Sequence, residues 1–182
     1  MGLARPMSAS AALLGLLSRT RDLLSPPRPA HAHCDIPCGI YDPHEAQLAA
    51  LTVLRMDQLL NELKAPADGA PADEVAKYHS QFSRFVRVKE THADKAEAEL
   101  TTIQNDYFTA EHRKKYTDLD QRYFNAIQAI SKARQGTRTA EAEEALRLVQ
   151  EYAQIFWDSK GAKTQKLPSH SKAGGELVLP VS

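Results

Sequence analysis

His33-Cys34-Asp35-Ile36-Pro37-Cys38-Gly39-Ile40-Tyr41-Asp42-Pro43 contains both cysteines of the chain, a histidine beside the first, and a proline between them. Two thiolates and an imidazole this close in sequence can meet at one metal ion. The stretch ends in a helix start. Asp42 is placed to cap, Pro43 suits the first helical position, and Glu45 follows three residues after the cap, a capping-box-like pattern. A candidate metal-binding hook therefore runs straight into the first helix, and the periodicity beyond it sets the fold class.

That first helix is expected to carry Val53, Met56, Leu60 and Leu63 on its apolar face, widened by Leu48, Leu51, Leu54 and Leu59. Ala65-Pro66-Ala67-Asp68-Gly69-Ala70-Pro71 breaks it. A long helix is predicted over Asp73 to Tyr107, with Phe82, Val86, Ala93, Ala96, Leu100, Ile103 and Tyr107 recurring at helical intervals. Thr109 to Thr117 is polar and reads as an irregular connection. A third helix covers Leu119 to Arg134, with Tyr123, Ile127 and Ile130 inward and Gly136 as its stop. The fourth starts near Thr139, with Glu141, Glu143 and Glu144 favourably placed for the helix dipole. Ala145, Val149, Tyr152, Ala153 and Phe156 form its stripe, and Gly161 closes it. No strand-like alternation competes with these periods. The fold class is all-α: an antiparallel four-helix bundle with an N-terminal metal-binding hook.

Three segments follow. Residues 1–32 read as a leader or pro-segment, 33–160 as the helical domain, and 161–182 as a polar Gly-, Ser- and Lys-rich tail expected to be mobile. The leader has a short apolar patch from Ala11 to Leu17, then Arg19, Arg21 and the proline-rich Ser25-Pro26-Pro27-Arg28-Pro29. Ala30-His31-Ala32 has the small-x-small form of a signal-peptidase site. Its composition equally suits an organelle transit peptide, or a pro-segment removed by a dedicated maturation protease. The mature protein is accordingly expected in the cytoplasm, with export or an organelle as the alternative. The formal charge balances at 23 against 23, and without residues 1–32 it becomes 19 basic against 22 acidic, a net of −3. That is no basic footprint for nucleic acid. No apolar run approaches the roughly 20 residues of a membrane-spanning helix.

Cleavage after Ala32 would create ligands that an internal segment lacks. The freed His33 amine and the Cys34 amide nitrogen close one five-membered chelate ring on a metal, and the Cys34 amide and its own sulfur close a second. Cys38 adds a second sulfur once Pro37 bends the chain back. Two nitrogens and two sulfurs in a plane suit Ni(II) or Cu(II), whereas zinc prefers a tetrahedron. The His33 imidazole hangs where an axial donor would sit. Amine and thiols must lose protons to bind, so metal affinity should rise with pH. Taken alone, C-x3-C is equally compatible with two inert cysteines, an incidental disulfide or part of a zinc site.

The full pattern His-Cys-Asp-x-Pro-Cys-Gly-x-Tyr-Asp-Pro resembles the nickel-binding hook of the nickel superoxide dismutase family. All nine fixed positions match, with Ile36 and Ile40 at the variable ones. The resemblance extends over about residues 33–160, through Arg84, Lys89-Glu90, Asp106-Tyr107-Phe108 and Ile155-Phe156-Trp157. It implies a four-helix subunit in a homohexamer, with one nickel ion per subunit. The implied ligands are the amine and imidazole of His33, the amide and thiolate of Cys34, and the thiolate of Cys38. It implies dismutation of superoxide to oxygen and hydrogen peroxide by one-electron Ni(II)/Ni(III) cycling, with Tyr41 among the proton carriers. Asp35 and Tyr41 would order the hook and restrict access to it, and Pro37 would follow a cis peptide bond.

Some positions depart from the best-known members. A glutamate that helps to orient the axial imidazole aligns with Ala49, an arginine of the same network aligns with His92, and Thr109-Ala110 replaces a lysine-proline pair. A metal-bound histidine needs a hydrogen-bonding partner behind it, and His92 is the candidate. A nickel or copper carrier without turnover would use the same ligands and is the alternative function. A thiol-disulfide exchange protein is disfavoured by the C-x3-C spacing and by the absence of a thioredoxin-like strand-helix pattern.

Overall fold

The computed structural model describes residues 38–181, which lie within one compact unit spanning His33–Ser182. Four main helices follow one another: α1 (His44–Glu62), α2 (Ala72–Thr102, continued by a π-turn over Ile103–Tyr107), α4 (Leu119–Gln135) and α5 (Thr139–Ser159). A short α3 (Ala110–Lys115) stands where an irregular connection was expected. Thr109 explains it: its hydroxyl accepts the His112 N–H, and the His112 ring accepts the Thr109 N–H, a reciprocal cap that starts a turn of helix. Among the described residues no helix is long and apolar enough to cross a membrane.

The helices form a bundle in which α1 packs against α2 and α5, and α4 packs against α5 and α2. Tyr152, Phe156, Leu100, Ile103, Leu119, Ile130, Val53 and Val149 fill its centre. The stripe predicted for α5 is its buried face. On α1 the buried face is rotated from the expected one: Ala46, Ala49, Ala50, Val53 and Leu54 turn inward, while Leu48 is exposed. Small residues at those positions let α2 and α5 approach closely. In α2 only Lys89, Ala93, Ala96 and Leu100 are buried. Phe82, expected in the core, is 39% exposed and stacks on Tyr78. Length is the reason: at 1.5 Å per residue α2 runs about 46 Å against about 28 Å for α1, so its first turns overhang the bundle.

The start of α1 uses half of the expected capping box. The Asp42 carboxylate accepts the His44 N–H at 2.8 Å. Glu45 does not fold back; it pairs with Lys95 on α2, and that hydrogen-bonded ammonium lowers its carboxyl below the usual glutamate range.

One position in the α1 stripe is a charge. Asp57 is fully buried and accepts from the equally buried Lys89 Nζ at 2.6 Å; Lys89 also donates to the Gly136 carbonyl in the α4–α5 connection. Burial raises the Asp57 carboxyl above the usual aspartate range, against the opposing pull of Lys89. Beside it, Asn61 donates to the Thr137 carbonyl at 3.0 Å, so α1 and α2 together hold that connection.

The expectation of a mobile tail over 161–182 is not met. Lys163–Pro168 (β1) and Glu176–Val181 (β2) form an antiparallel hairpin in the register Lys163↔Val181 to Pro168↔Glu176. A lone two-stranded hairpin is marginal in water. This one is held by the bundle, against α1 and α5. Leu177 and Val178 are buried. The buried Gln47 side chain accepts the Val178 N–H at 2.7 Å and donates to its carbonyl at 3.0 Å, acting as a neighbouring strand would. Gln150 donates to the Glu176 carbonyl and Gln58 to the Ala173 carbonyl. Gly175 has φ +74°, and a Cβ there would lie 3.1 Å from Leu51 and 3.2 Å from Leu146, so only glycine lets the turn approach this closely. The apolar run Glu-Leu-Val-Leu-Pro-Val was too short to stand out as a strand in a polar tail. Gln47→Ala should leave both Val178 backbone groups without their partner and cost about 2 kcal/mol, read as a lower urea midpoint at unchanged m-value.

Candidate metal centre

Two of the proposed hook and access residues fall within the described part of the chain. Cys38 and Tyr41 stand at the mouth of α1; His33, Cys34, Asp35 and Pro37, with the expected cis bond, lie outside the described residues. Cys38 is half-buried, and its sulfur accepts the Ile40 N–H at 3.4 Å. Gly39 between them has φ +73°, the left-handed turn that brings that amide over the sulfur. An N–H directed at sulfur favours the thiolate, the form that ligates metal. The donor chemistry at Cys38 therefore fits a soft, thiolate-seeking metal ion. Tyr41 is half-buried, whereas Ile40 is 78% exposed.

Behind Tyr41 lies an aromatic wall that periodicity alone assigned to plain core. The Tyr41 ring tilts against Tyr107, with centroids 5.7 Å apart. Tyr107 in turn stacks on His112 at 5.3 Å, nearly parallel, and packs on Phe156 at 4.7 Å. Lys160 places its ammonium 5.3 Å from the Tyr107 ring centre and 4.9 Å from that of Phe156, a favourable cation–π position. The Ser159 hydroxyl donates to the Phe156 carbonyl at 2.6 Å, so in the 2.7 Å contact between them the Tyr107 hydroxyl donates to Ser159. His112 Nδ1 accepts the Thr109 N–H at 3.1 Å, leaving the ring proton on Nε2 in its neutral form. His112, Phe156, Ser159 and Lys160 thus surround Tyr107, the residue that packs on the tyrosine following the proposed hook. The Asp106-Tyr107-Phe108 and Ile155-Phe156-Trp157 runs were the sequence signals that pointed to this wall.

His92 sits midway along α2 and is half-buried. Its Nδ1 lies 2.8 Å from the Val88 carbonyl, which can only accept, so Nδ1 carries the proton and Nε2 is left for another partner. Ala49 is buried in the α1 face and has no polar atom to offer.

A model of the nickel-containing superoxide dismutase family matches residues 28–160. The chain belongs to the nickel-containing superoxide dismutase family. The nickel superoxide dismutase of Streptomyces seoulensis is 32% identical over 147 residues, which is 81% of this chain and all of that protein. That of Streptomyces coelicolor is 31% identical over the same length. Among solved structures, a native nickel superoxide dismutase at 1.30 Å superposes with a TM-score of 0.59 at 29% identity, covering 70% of this chain and 99% of that one. A second, with its nickel ligation in the oxidised state, gives a TM-score of 0.60 at 29% identity, covering 71% of this chain and all of that one. The family match stops at residue 160, so the C-terminal hairpin lies beyond it.

Proposed function

We propose that the mature chain begins at His33 and dismutates superoxide, with the His33 amine and imidazole, the Cys34 amide and thiolate, and the Cys38 thiolate as nickel ligands. The observation that carries this reading is the junction of a complete nine-position hook with a chain that matches the family from 28 to 160. Nickel, when bound, supplies the one-electron chemistry by alternating between its divalent and trivalent states. The protein's own residues do the rest. The Ile40 amide holds the Cys38 sulfur as an acceptor, and Gly39 supplies the turn. Tyr41, braced by Tyr107, would restrict access to the hook and offer its phenol as a proton carrier. With a net charge of −3 after leader removal, long-range attraction of an anion is weak. Lys160 therefore matters as local positive charge beside the tyrosine pair. Asp35 and Pro37 would shape the hook, and His92, whose Nδ1 is held by the Val88 carbonyl, would serve as hydrogen-bonding partner of the His33 imidazole where other members have a glutamate and an arginine.

The same reading includes removal of residues 1–32 by a maturation protease, a cytoplasmic mature enzyme and assembly into a homohexamer. The overhanging, aromatic-bearing start of α2 supports assembly, since Tyr78 and Phe82 stack there without burial in the subunit. The deciding experiment is intact mass and metal content of protein matured in its own host, with superoxide decay followed directly. A mass starting at His33, about one nickel per chain and a loss of superoxide that is first order in superoxide and proportional to enzyme are expected. A chain that keeps its leader and is fully active would overturn the reading. A processed, nickel-loaded chain without turnover would leave the carrier function.

A further inference from the structure

We propose that Arg113 is a positioning residue for the Tyr41–Tyr107 pair, acting through the π-turn that ends α2; the inference rests on the dismutase reading of the site. In this turn the Phe108 N–H reaches the Ile103 carbonyl at 3.2 Å, a five-residue closure in place of the usual four. One extra residue in a turn rotates everything after it by about 100° around the helix axis. Tyr107 is the last residue of that turn, so the closure decides which way its ring faces. In a regular helix the ring would leave the wall behind Tyr41.

Such turns are rare because they misalign backbone groups, and something must hold this one open. Arg113 does so from α3. One guanidinium nitrogen donates to the Gln104 carbonyl at 3.0 Å, the other to the Phe108 carbonyl at 2.6 Å, so a single side chain grips the turn on both sides of Tyr107. Its Nε donates to Asp120 at 3.1 Å, which fixes the plane of the fork. The Gln104 side chain locks the turn from the core side. Its amide donates to the same Asp120 oxygen at 2.6 Å, and its oxygen accepts from the buried Tyr152 hydroxyl at 2.8 Å. Burial pushes the Tyr152 phenol far above its usual range, so that hydroxyl remains a donor. Arg113 thus ties α3 to the π-turn of α2 and to α4, and Gln104 extends the network to α5, at the residue that braces Tyr41. A lysine has no fork and reaches one carbonyl only.

The test uses protein carrying fluorotyrosine, observed by fluorine NMR, alongside dismutation by the mature nickel-loaded enzyme. In Arg113→Gln the Tyr41 and Tyr107 resonances should move or broaden, while Tyr78, on the overhang of α2, keeps its position. Nickel per chain should stay at the wild-type level while turnover falls about tenfold. Arg113→Lys should recover part of both effects. Asp120→Asn, on a side chain 68% exposed, is a milder variant that keeps the fold and should shift the same two resonances by less. Unmoved Tyr41 and Tyr107 resonances in Arg113→Gln and Asp120→Asn overturn the proposal, as does activity that falls only in proportion to nickel lost. The NMR readout decides even if the wild-type enzyme shows no dismutation, so failure here is distinct from failure of the functional reading.

Discussion

Cys38→Ser should abolish stoichiometric nickel binding and lower superoxide dismutation by roughly a hundredfold or more, since even loss of a group behind a ligand costs ten- to a hundredfold. The substitution is nearly isosteric, and the serine oxygen still accepts from the Ile40 amide that now meets sulfur at 3.4 Å. Gly39 keeps its turn, and Tyr41 keeps its place against Tyr107. What disappears is an ionisable, soft donor: a serine hydroxyl is not a thiolate at neutral pH, and the proposed set of nitrogen and sulfur donors would hold nickel through its thiolates. Metal per chain by mass spectrometry and superoxide decay by stopped flow give the two readouts, and far-ultraviolet circular dichroism should be unchanged. A Cys38→Ser protein that holds nickel at full occupancy and turns over normally would remove this residue from the centre.

The second large effect lies in the core. Asp57→Ala leaves the Lys89 ammonium, 2% exposed, with the Gly136 carbonyl as its remaining partner. Removing one member of a buried pair costs about 3–5 kcal/mol, and for a chain of this length that lowers the melting temperature on the order of 10 °C. Lys89→Met should cost less, because the Asp57 carboxyl is already raised by burial and can take up a proton once the ammonium is gone. Its pH signature follows in sign. A carboxyl whose pKa is higher folded than unfolded holds more protons in the folded state between the two values. Stability of Lys89→Met should therefore be greatest below the ordinary aspartate range and fall as pH rises through the raised value; the wild type should show the same trend less steeply. The pair replaced together by Leu and Met should regain most of the loss. Calorimetry across pH measures all three variants. An Asp57→Ala protein that melts with the wild type would show that the pair carries no stability.

Helix order and the α5 face were legible because apolar spacing reports burial directly, as Ala145, Val149, Tyr152, Ala153 and Phe156 show. The hook motif stands out in the sequence because its residues are contiguous, and of it the structure describes residues 38–43. Partnership across the sequence was not legible. Asp57 occupies a stripe position whose charge is made tolerable by Lys89, 32 residues away, and no local pattern announces that. Phe82 fits the helical period yet is exposed, because period says nothing about where the neighbouring helix ends. Tyr107 sits on the predicted inward face, but the π-turn that aims it at Tyr41 is held by Arg113 from another helix. The hairpin escaped notice because its strands are stabilised by Gln47 and the bundle surface rather than by their own alternation.

That last contact has a consequence for biosynthesis. Gln47 and Val178 are 131 residues apart, and the first belongs to the helix that follows the proposed nickel hook. A ribosome makes Gln47 well before Val178. The four helices are complete by residue 159, but the root of α1 lacks its strand partner until residue 178 has been made. A chain stalled or terminated before the hairpin therefore presents Gln47 and the Leu51–Leu146 seam uncovered to chaperones and proteases.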